Sequence, residues 1–154
     1  MAERIEKDVR FAVLNGPNLN LLGTREPELY GRETLGDVEQ VLRSVASDIG
    51  AELEFAQHNG EGELIEAIHR LRGRVDGVVI NAGAYTHSSL AIRDALAAVA
   101  VPFVEVHITN VYAREPERRH SMLAPAAVGS VCGLGTYGYE LALRGLARSL
   151  GARA

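Results

Sequence analysis

The sequence is nearly free of lysine. Of its 16 basic residues 15 are arginine, and the only lysine is Lys7, in the charged segment before the first apolar run. A Walker-type phosphate loop needs a lysine after its glycines, and Schiff-base catalysis needs a lysine in a pocket. Lys7 is badly placed for either role, so the sequence disfavours both chemistries.

Cysteine is almost absent too, and tryptophan is missing altogether. The single cysteine, Cys132, cannot form an internal disulfide, and without a CxxC pair it offers no zinc site. Because Cys132 lies in an apolar, strand-like stretch, we expect it to be a small buried hydrophobic residue.

The chain also has neither a strong charge nor a long apolar run. Its net charge of −4 gives no field for holding nucleic acid, so a small-molecule partner is the better starting hypothesis. No run approaches the roughly 20 apolar residues that span a bilayer, and the first ten residues lack the apolar core of a secretory signal. We expect a cytoplasmic protein without a membrane or nucleic-acid partner. The length of 154 residues predicts a single domain, 1–154, with residues 1–8 as a charged extension.

Apolar runs alternate with helical patterns five times along the chain. The runs predict strands at residues 9–14, 52–56, 77–80, 101–108 and 128–132. The helical patterns predict helices over residues 34–49, around 64–71, over 88–100 and over 139–150. Such alternation is typical of an α/β fold, and we expect a flavodoxin-like three-layer sandwich with a five-stranded parallel sheet of order 2-1-3-4-5.

The first long helix has a recognisable start. Thr34, followed three residues later by Asp37, is typical of a helix cap. Helical spacing then predicts its buried face, formed by Leu35, Val38, Val41, Leu42, Val45 and Ile49. The last helix carries leucines at similar spacing, at positions 141, 143, 146 and 150.

Polar residues follow every predicted strand, and in doubly wound sheets ligands bind beyond these carboxyl ends. The five segments are NGPN at 15–18, QHNGEG at 57–62, NAGAYTH at 81–87, HITN at 107–110 and GLGTYG at 133–138. Each alone is also typical of a turn, but five on one edge predict a site for a small hydroxylated ligand. GLGTYG matches GxGxxG only loosely and no ribose-binding acid follows it, so we expect its glycines to let the last helix pack close to the sheet.

Glu105 and His107 interrupt the fourth predicted strand two residues apart and therefore project to the same face. A carboxylate that orients an imidazole and stabilises its cationic form makes that imidazole a better proton donor near neutral pH. The pair is thus a candidate general acid. The alternative is an ion pair at the exposed end of the strand.

A long loop, LNLLGTREPELYGRET, separates the first strand from the first long helix, where about two to six residues are usual. Its length indicates either a lid or a disordered segment, and we call residues 19–33 the lid loop. It contains Arg25 and Tyr30. A phenol is a poor base at neutral pH unless a fixed positive charge stabilises the phenolate, and Arg25 can supply that charge.

Three arginines, Arg114, Arg118 and Arg119, follow the fourth strand. An arginine cluster beside a polar cleft suits bidentate binding of a carboxylate or phosphate. A solvated surface or a subunit contact fits the same spacing.

Four blocks of sequence, in this order, resemble the type II 3-dehydroquinate dehydratases of the shikimate and quinate pathways. They are FAVLNGPNLNLLGTREPELYG, NAGAYTHSSLAIRDAL, VEVHITNVYAREPERRHS and GLGTYGYELAL, and the resemblance covers about residues 9–150. It implies a flavodoxin-like subunit, trimers assembled into a homododecamer, and neither metal nor cofactor. It also implies anti elimination of water from 3-dehydroquinate through an enolate, giving 3-dehydroshikimate. Type I enzymes use a lysine Schiff base, which the scarcity of lysine independently disfavours.

The resemblance also implies the catalytic residues. Tyr30 would abstract the proton, activated by Arg25, and Asn18 would hold the water that stabilises the enolate oxygen. His107 would protonate the leaving hydroxyl, with Glu105 orienting its ring, in agreement with the strand pattern.

Substrate binding is implied for a second group of positions. Asn81 and His87 would bind substrate hydroxyls, and Arg118 would contact the ring substituents. The backbone amides of Ile108 and Thr109, with the Thr109 hydroxyl, would bind the carboxylate.

Two further positions and three departures complete the comparison with the family pattern. Arg114 would shape or close the lid site, and Asp94 would complete the site of an adjacent subunit. Thr109 stands where serine is usual, which keeps the hydroxyl. His58 replaces a usual serine after the second strand, so the resemblance does not predict the structure of the second-strand rim. Glu117 replaces a common aromatic residue next to the arginines, so the resemblance does not predict how the lid docks.

A binding module on the same fold is the rival hypothesis. A flavin carrier would have a hydroxyl-rich phosphate loop after the first strand, where this chain has GPNLNLLG, and would usually stack aromatic rings on its cofactor. A signalling receiver needs an aspartate at the end of strand three and a lysine after strand five, where this chain has Asn81 and no lysine.

Overall fold

The structure is a computed structural model that describes residues 8–151, so Lys7 and the rest of the predicted charged extension lie outside the described residues except for Asp8. A five-stranded parallel sheet runs in the order β2-β1-β3-β4-β5. Its strands are β1 (Val9–Asn15), β2 (Ala51–Gln57), β3 (Gly77–Asn81), β4 (Phe103–His107) and β5 (Gly129–Cys132). The helices are α1 (Pro27–Tyr30), α2 (Leu35–Asp48), α3 (Glu61–Arg70), α4 (Leu90–Val99) and α5 (Tyr137–Ser149). The predicted flavodoxin-like class and strand order are confirmed.

Two apolar cores lie on opposite faces of the sheet because alternate residues of each strand point to opposite sides. Phe11 and Val13 face the core formed with α2 and α5. Ala12 and Leu14 face the core formed with α3 and α4. Burial on both faces explains why the strands appear as nearly continuous apolar runs in the sequence.

The predicted start of α2 is confirmed as a capping box. The Thr34 hydroxyl accepts a hydrogen bond from the Asp37 N–H at 3.1 Å, and the Asp37 carboxylate accepts one from the Thr34 N–H at 2.9 Å. The prediction that Val41 is buried was wrong, because Val41 lies at the edge of the helical stripe and is 47% exposed. Leu150, just past the end of α5, is also exposed.

Two strand predictions need correction. β4 begins at Phe103 and ends at His107, shorter than predicted, and the preceding Pro102 has no N–H to donate to a neighbouring strand. Cys132 is half-buried rather than buried, because β5 is the last strand of the sheet and has no neighbour beyond it.

Glycines set two close approaches at the carboxyl edge of the sheet. A side chain at Gly16 would lie 2.3 Å from the Ala82 carbonyl oxygen, so the turn after β1 packs directly on the chain after β3. A side chain at Gly138 would lie 3.3 Å from Val106 and 3.4 Å from Val131. The last helix therefore starts tight against the sheet, as the GLGTYG segment predicted.

Among the described residues, no helix has both the length and the apolar character that crossing a membrane requires.

Candidate active site

A cleft of about 180 Å³ lies beyond the carboxyl ends of β1, β3 and β4 and beneath the lid loop. Ten of the twelve predicted site residues line it, namely Asn18, Arg25, Tyr30, Asn81, His87, His107, Ile108, Thr109, Arg114 and Arg118. The structure places Glu105 behind His107 and does not bring Asp94 to the cleft, since Asp94 is exposed on α4. Three of the five strand ends thus form the cleft.

The other two strand ends have different roles. Residues after β5 line a neighbouring cavity of about 340 Å³ on the far side of the lid, with Gly133, Gly135 and Thr136 facing Tyr30 and Thr109. The segment after β2 supports the turn after β1 from outside the cleft.

That support is built from amide side chains. Asn18 has a left-handed backbone with φ 68°, and its N–H donates to Asn59 Oδ1 at 3.0 Å. Gln57 Nε2 donates to the same oxygen at 2.9 Å. The imidazole of His58 lies instead toward Glu63, with Nδ1 3.9 Å from its carboxylate. The unusual His58 therefore leaves the support of Asn18 intact.

Glu105 and His107 form a buried pair. His107 Nε2 donates to Glu105 Oε1 at 2.5 Å, and the two residues are 7% and 1% exposed respectively. The exposed ion pair considered as an alternative is therefore excluded. With Nε2 engaged by the carboxylate, Nδ1 is the ring nitrogen left to act on a ligand.

Glu105 has two further partners that the sequence did not indicate. The Ser121 hydroxyl lies 2.9 and 2.8 Å from the two carboxylate oxygens, and the Thr86 hydroxyl donates at 3.3 Å. Burial alone would raise the pKa of Glu105, but the hydrogen bond and positive charge of His107 and the two hydroxyls outweigh it. The net pKa lies below the ordinary 4.5, so Glu105 is a carboxylate at neutral pH.

Tyr30, in the single-turn helix α1, is contacted by two guanidinium groups. Arg114 Nη1 donates to its hydroxyl at 2.9 Å, while the Arg25 guanidinium lies 5.1 Å from the ring centroid. The sequence indicated Arg25 as the charge near the phenol. The structure places Arg25 on the ring face and gives the hydroxyl contact to Arg114.

The remaining arginines of the cluster differ in position. Arg118 reaches the cleft and donates to Glu115 at 2.5 Å, and this hydrogen bond raises the pKa of Arg118, which stays charged. Arg119 donates to the backbone carbonyl of Arg114 at 2.9 Å and so holds the loop.

His87 and Asn81 lie on the wall formed after β3. The His87 ring is stacked on that of His107, with centroids 6.2 Å apart. Its Nδ1 lies 2.8 Å from the His120 carbonyl oxygen, which can only accept, so Nδ1 carries the hydrogen. Asn81 is buried and donates to the hydroxyl of Tyr139, a residue that the sequence did not indicate.

Two kinds of acid–base group therefore share one small cleft. A phenol contacted by arginines lies in the lid loop, and an imidazole backed by a carboxylate lies at the end of β4. Such an arrangement can remove one proton from a bound molecule and deliver another. Within residues 8–151, no group of three or more His, Cys, Asp or Glu side chains is placed to hold a metal ion.

Comparison with known proteins gives one consistent answer. A family model described as class II dehydroquinase matches residues 9–147. A 3-dehydroquinate dehydratase of Gemmatimonas aurantiaca is 64% identical, with 91% of this chain and 92% of the relative covered. Catabolic 3-dehydroquinase 1 of Aspergillus terreus is 56% identical, with 88% and 89% covered. The crystal structure of the type II dehydroquinase of Butyrivibrio crossotus superimposes with a TM-score of 0.88 at 42% identity, covering 90% of this chain and 97% of the other.

Proposed function

The chain belongs to the class II dehydroquinase family, and we propose that it is a 3-dehydroquinate dehydratase, a lyase that removes water from 3-dehydroquinate to give 3-dehydroshikimate. The observation that carries this proposal is the placement of the Tyr30 phenol, contacted by Arg25 and Arg114, in the same cleft as the buried His107–Glu105 pair. Relatives named for this reaction, at up to 64% identity, support it.

Tyr30 acts first, as the base that takes a proton from C2, beside the C3 ketone. Negative charge leaves the Tyr30 oxygen as the proton arrives, and it must be stabilised there beforehand. Arg114 donates directly to that oxygen and Arg25 lies over the ring, so both guanidinium groups place positive charge beside the base.

The charge then moves to the former ketone oxygen as an enolate. Asn18 holds a water that donates a hydrogen bond to this oxygen. The backbone N–H of Asn18 is tied to Asn59 Oδ1, so the turn that presents its carboxamide is fixed before the substrate binds. Fixed donors aimed at developing charge are the arrangement that lowers such barriers most.

His107 completes the elimination by giving a proton to the hydroxyl that leaves from C1. Glu105, a carboxylate at neutral pH, stabilises the imidazolium before transfer and fixes the ring. Departure of water forms the C1–C2 double bond conjugated to the ketone. Tyr30 ends protonated and His107 ends neutral, and exchange with solvent restores both.

Substrate binding uses the remaining residues of the cleft. The backbone amides of Ile108 and Thr109, with the Thr109 hydroxyl, bind the carboxylate at the turn where β4 ends. Asn81 and His87 bind ring hydroxyls, and Arg118 contacts the ring substituents. These roles use groups that all line the cleft.

Residues 1–154 form a single domain, and the chain is one subunit of a cytoplasmic homododecamer built from trimers. The enzyme uses neither metal nor cofactor. Asp94 is exposed on α4 and does not line the cleft of its own chain, which fits a role in the site of an adjacent subunit. Light scattering should give a mass about twelve times the chain mass of 16.6 kDa, and a monomer would overturn the assembly.

The same reaction serves the shikimate pathway and quinate breakdown, and one of the relatives is named a catabolic 3-dehydroquinase. The genes beside this one distinguish the two uses.

The test is direct. Purified protein is mixed with 3-dehydroquinate, and formation of the enone is followed by its ultraviolet absorbance. Steady turnover without an added metal or cofactor is expected. No turnover by the folded, oligomeric protein would overturn the proposal, and a yellow protein with bound flavin would favour the carrier instead.

A further inference from the structure

Four hydrogen bonds form a continuous chain beneath the cleft. Asn15 Nδ2 donates to the Ala56 carbonyl oxygen at 3.1 Å, and the Tyr139 hydroxyl donates to Asn15 Oδ1 at 2.7 Å. Asn81 Nδ2 donates to the Tyr139 oxygen at 2.9 Å, and the Gly83 N–H donates to Asn81 Oδ1 at 3.1 Å. The chain joins the ends of β1 and β3 through one residue of α5.

The groups at the two ends of this series of hydrogen bonds determine which atom donates and which accepts in each of the four bonds. The Ala56 carbonyl can only accept, so Asn15 must turn its NH₂ toward it and its oxygen toward Tyr139. The single hydroxyl hydrogen of Tyr139 then goes to Asn15, which leaves an acceptor for the NH₂ of Asn81. The Gly83 N–H can only donate, and it meets the oxygen of Asn81. Turning either carboxamide over would place donor against donor or acceptor against acceptor.

Burial makes a wrong orientation costly. Asn15 and Tyr139 are 0% exposed and Asn81 is 3% exposed, so water cannot replace a lost partner readily. Burial also raises the pKa of the Tyr139 phenol far above its ordinary value, against the smaller opposing effect of the hydrogen bond from Asn81. Tyr139 therefore keeps its hydrogen at neutral pH.

The packing of α5 explains how a helical residue reaches this position. Tyr139 lies in the first turn of α5, directly after Gly138, whose missing side chain lets the helix start against Val106 and Val131. The phenol thus passes under the sheet edge and reaches residues 124 and 58 positions away in the sequence.

We infer that Tyr139 is a positioning residue that holds the Asn81 carboxamide with an N–H, rather than its oxygen, available to the ligand. Asn81 lines the cleft, and one Nδ2 hydrogen is used by Tyr139. The second has no partner within residues 8–151, while Oδ1 is engaged by Gly83. Asn81 therefore selects a ligand oxygen that accepts a hydrogen bond. This inference rests on the proposed function, in which that oxygen is a ring hydroxyl of 3-dehydroquinate.

Tyr139→Phe removes one oxygen and leaves the aromatic ring in place. The NH₂ of Asn81 and the oxygen of Asn15 then lose their common partner. The Asn81 carboxamide is held only through its oxygen, by the Gly83 N–H, so its NH₂ is no longer fixed in position for the ligand. We expect KM for 3-dehydroquinate to rise about tenfold, while kcat changes less than about threefold.

Leu146→Ala is the matched control, because Leu146 is buried two turns further along α5 and packs near Gly77, far from the cleft. It should lower the melting temperature at least as much as Tyr139→Phe and leave KM unchanged. A Tyr139→Phe protein with a lower melting temperature but an unchanged KM would overturn the inference while the proposed function stands. Absence of turnover in the wild type would overturn both.

Substrate analogues lacking one ring hydroxyl identify the group that Asn81 binds. The 4-deoxy and 5-deoxy analogues of 3-dehydroquinate are compared by their KM or inhibition constants. We expect the tenfold difference between Tyr139→Phe and wild type to disappear for one of the two and to persist for the other. An equal difference for every compound would indicate general loosening of the cleft and overturn the inference.

Discussion

Arg114 donates a hydrogen bond of 2.9 Å to the hydroxyl of Tyr30, a residue 84 positions earlier in the chain. This contact joins the lid loop to the segment after β4. It places the positive charge of Arg114 beside the Tyr30 oxygen, which we assign as the base. Arg25, the nearer residue in sequence, contacts only the face of the same ring. Arg114 also lies over this ring, 5.6 Å from its centroid, so Arg114 contacts both the hydroxyl and the ring of Tyr30.

Arg114→Ala tests the contact with the Tyr30 hydroxyl. We expect kcat/KM to fall about 100-fold, mainly through kcat, because the charge is needed as the proton leaves C2. Arg43→Ala, which removes an exposed arginine on α2, is the control and should leave kcat/KM unchanged. Steady-state kinetics of the enone product measure both. An Arg114→Ala enzyme with wild-type kinetics would show that the contact in the structure has no part in the reaction.

Glu105→Gln should change the pH dependence of stability. The pKa of Glu105 is lowered in the folded protein, so its carboxylate stabilises the fold above its ordinary 4.5 and loses this effect as the pH falls through the folded value. At pH 7 the variant should be about 1.5 to 3 kcal/mol less stable than the wild type. The difference should shrink on acidification.

Urea unfolding at pH 7 and at a series of pH values below 4.5, where the folded pKa of Glu105 lies, measures this difference. Glu39→Gln, at an exposed i,i+4 ion pair on α2, is the control and should cost less than about 1 kcal/mol throughout. A difference for Glu105→Gln that stays constant with pH would contradict the electrostatic account.

The moving part of the lid loop should be shorter than the loop itself. Leu19 and Leu22 are buried in the core, and Glu33 is held by the Thr136 hydroxyl at 2.5 Å. Between these anchors, Gly23 and Gly31 have positive φ values of 93° and 83°, a conformation that suits a hinge. We expect amide hydrogen exchange at residues 23–31 to slow when an enolate mimic binds. Equal exchange with and without the mimic would exclude gating by this segment.

Thr34→Ala should weaken the start of α2. Loss of the hydroxyl leaves the Asp37 N–H without its cap, so the free energy of unfolding should fall by about 1 kcal/mol. Thr34→Ser keeps the oxygen and should restore most of it. Denaturant unfolding of both variants gives the answer, and equal loss in the two would show that the methyl group, not the cap, was responsible.

Local patterns were enough to predict the framework of this protein. Strand and helix alternation predicted the sheet and its order, and the Thr34–Asp37 spacing predicted the cap. The two-residue spacing of Glu105 and His107 placed both on one strand face, where the structure has them paired. The elements, the cap and the pair depend on neighbours in sequence, which periodicity captures. The strand order followed from the flavodoxin-like class that the alternation indicated.

Contacts between distant segments were not predictable from the residues. Ser121 and Thr86 reach Glu105 from other loops, and Tyr139 reaches Asn81 from another element. The exposures of Val41 and Cys132 depend on which elements cover them, which no local pattern encodes. Most of the ten cleft residues were indicated by the resemblance to the family. Residue spacing alone did not distinguish a ligand-binding arginine cluster from a solvated surface or a subunit contact.

Turnover of 3-dehydroquinate by the Tyr30→Phe protein tests the central claim most directly. The variant keeps the ring that Arg25 covers and loses only the oxygen that takes the proton, and circular dichroism shows whether it is folded. We predict that kcat falls at least about 100-fold relative to the wild type in the same enone assay. A folded Tyr30→Phe enzyme with wild-type kcat would contradict the assignment of the base to the lid loop.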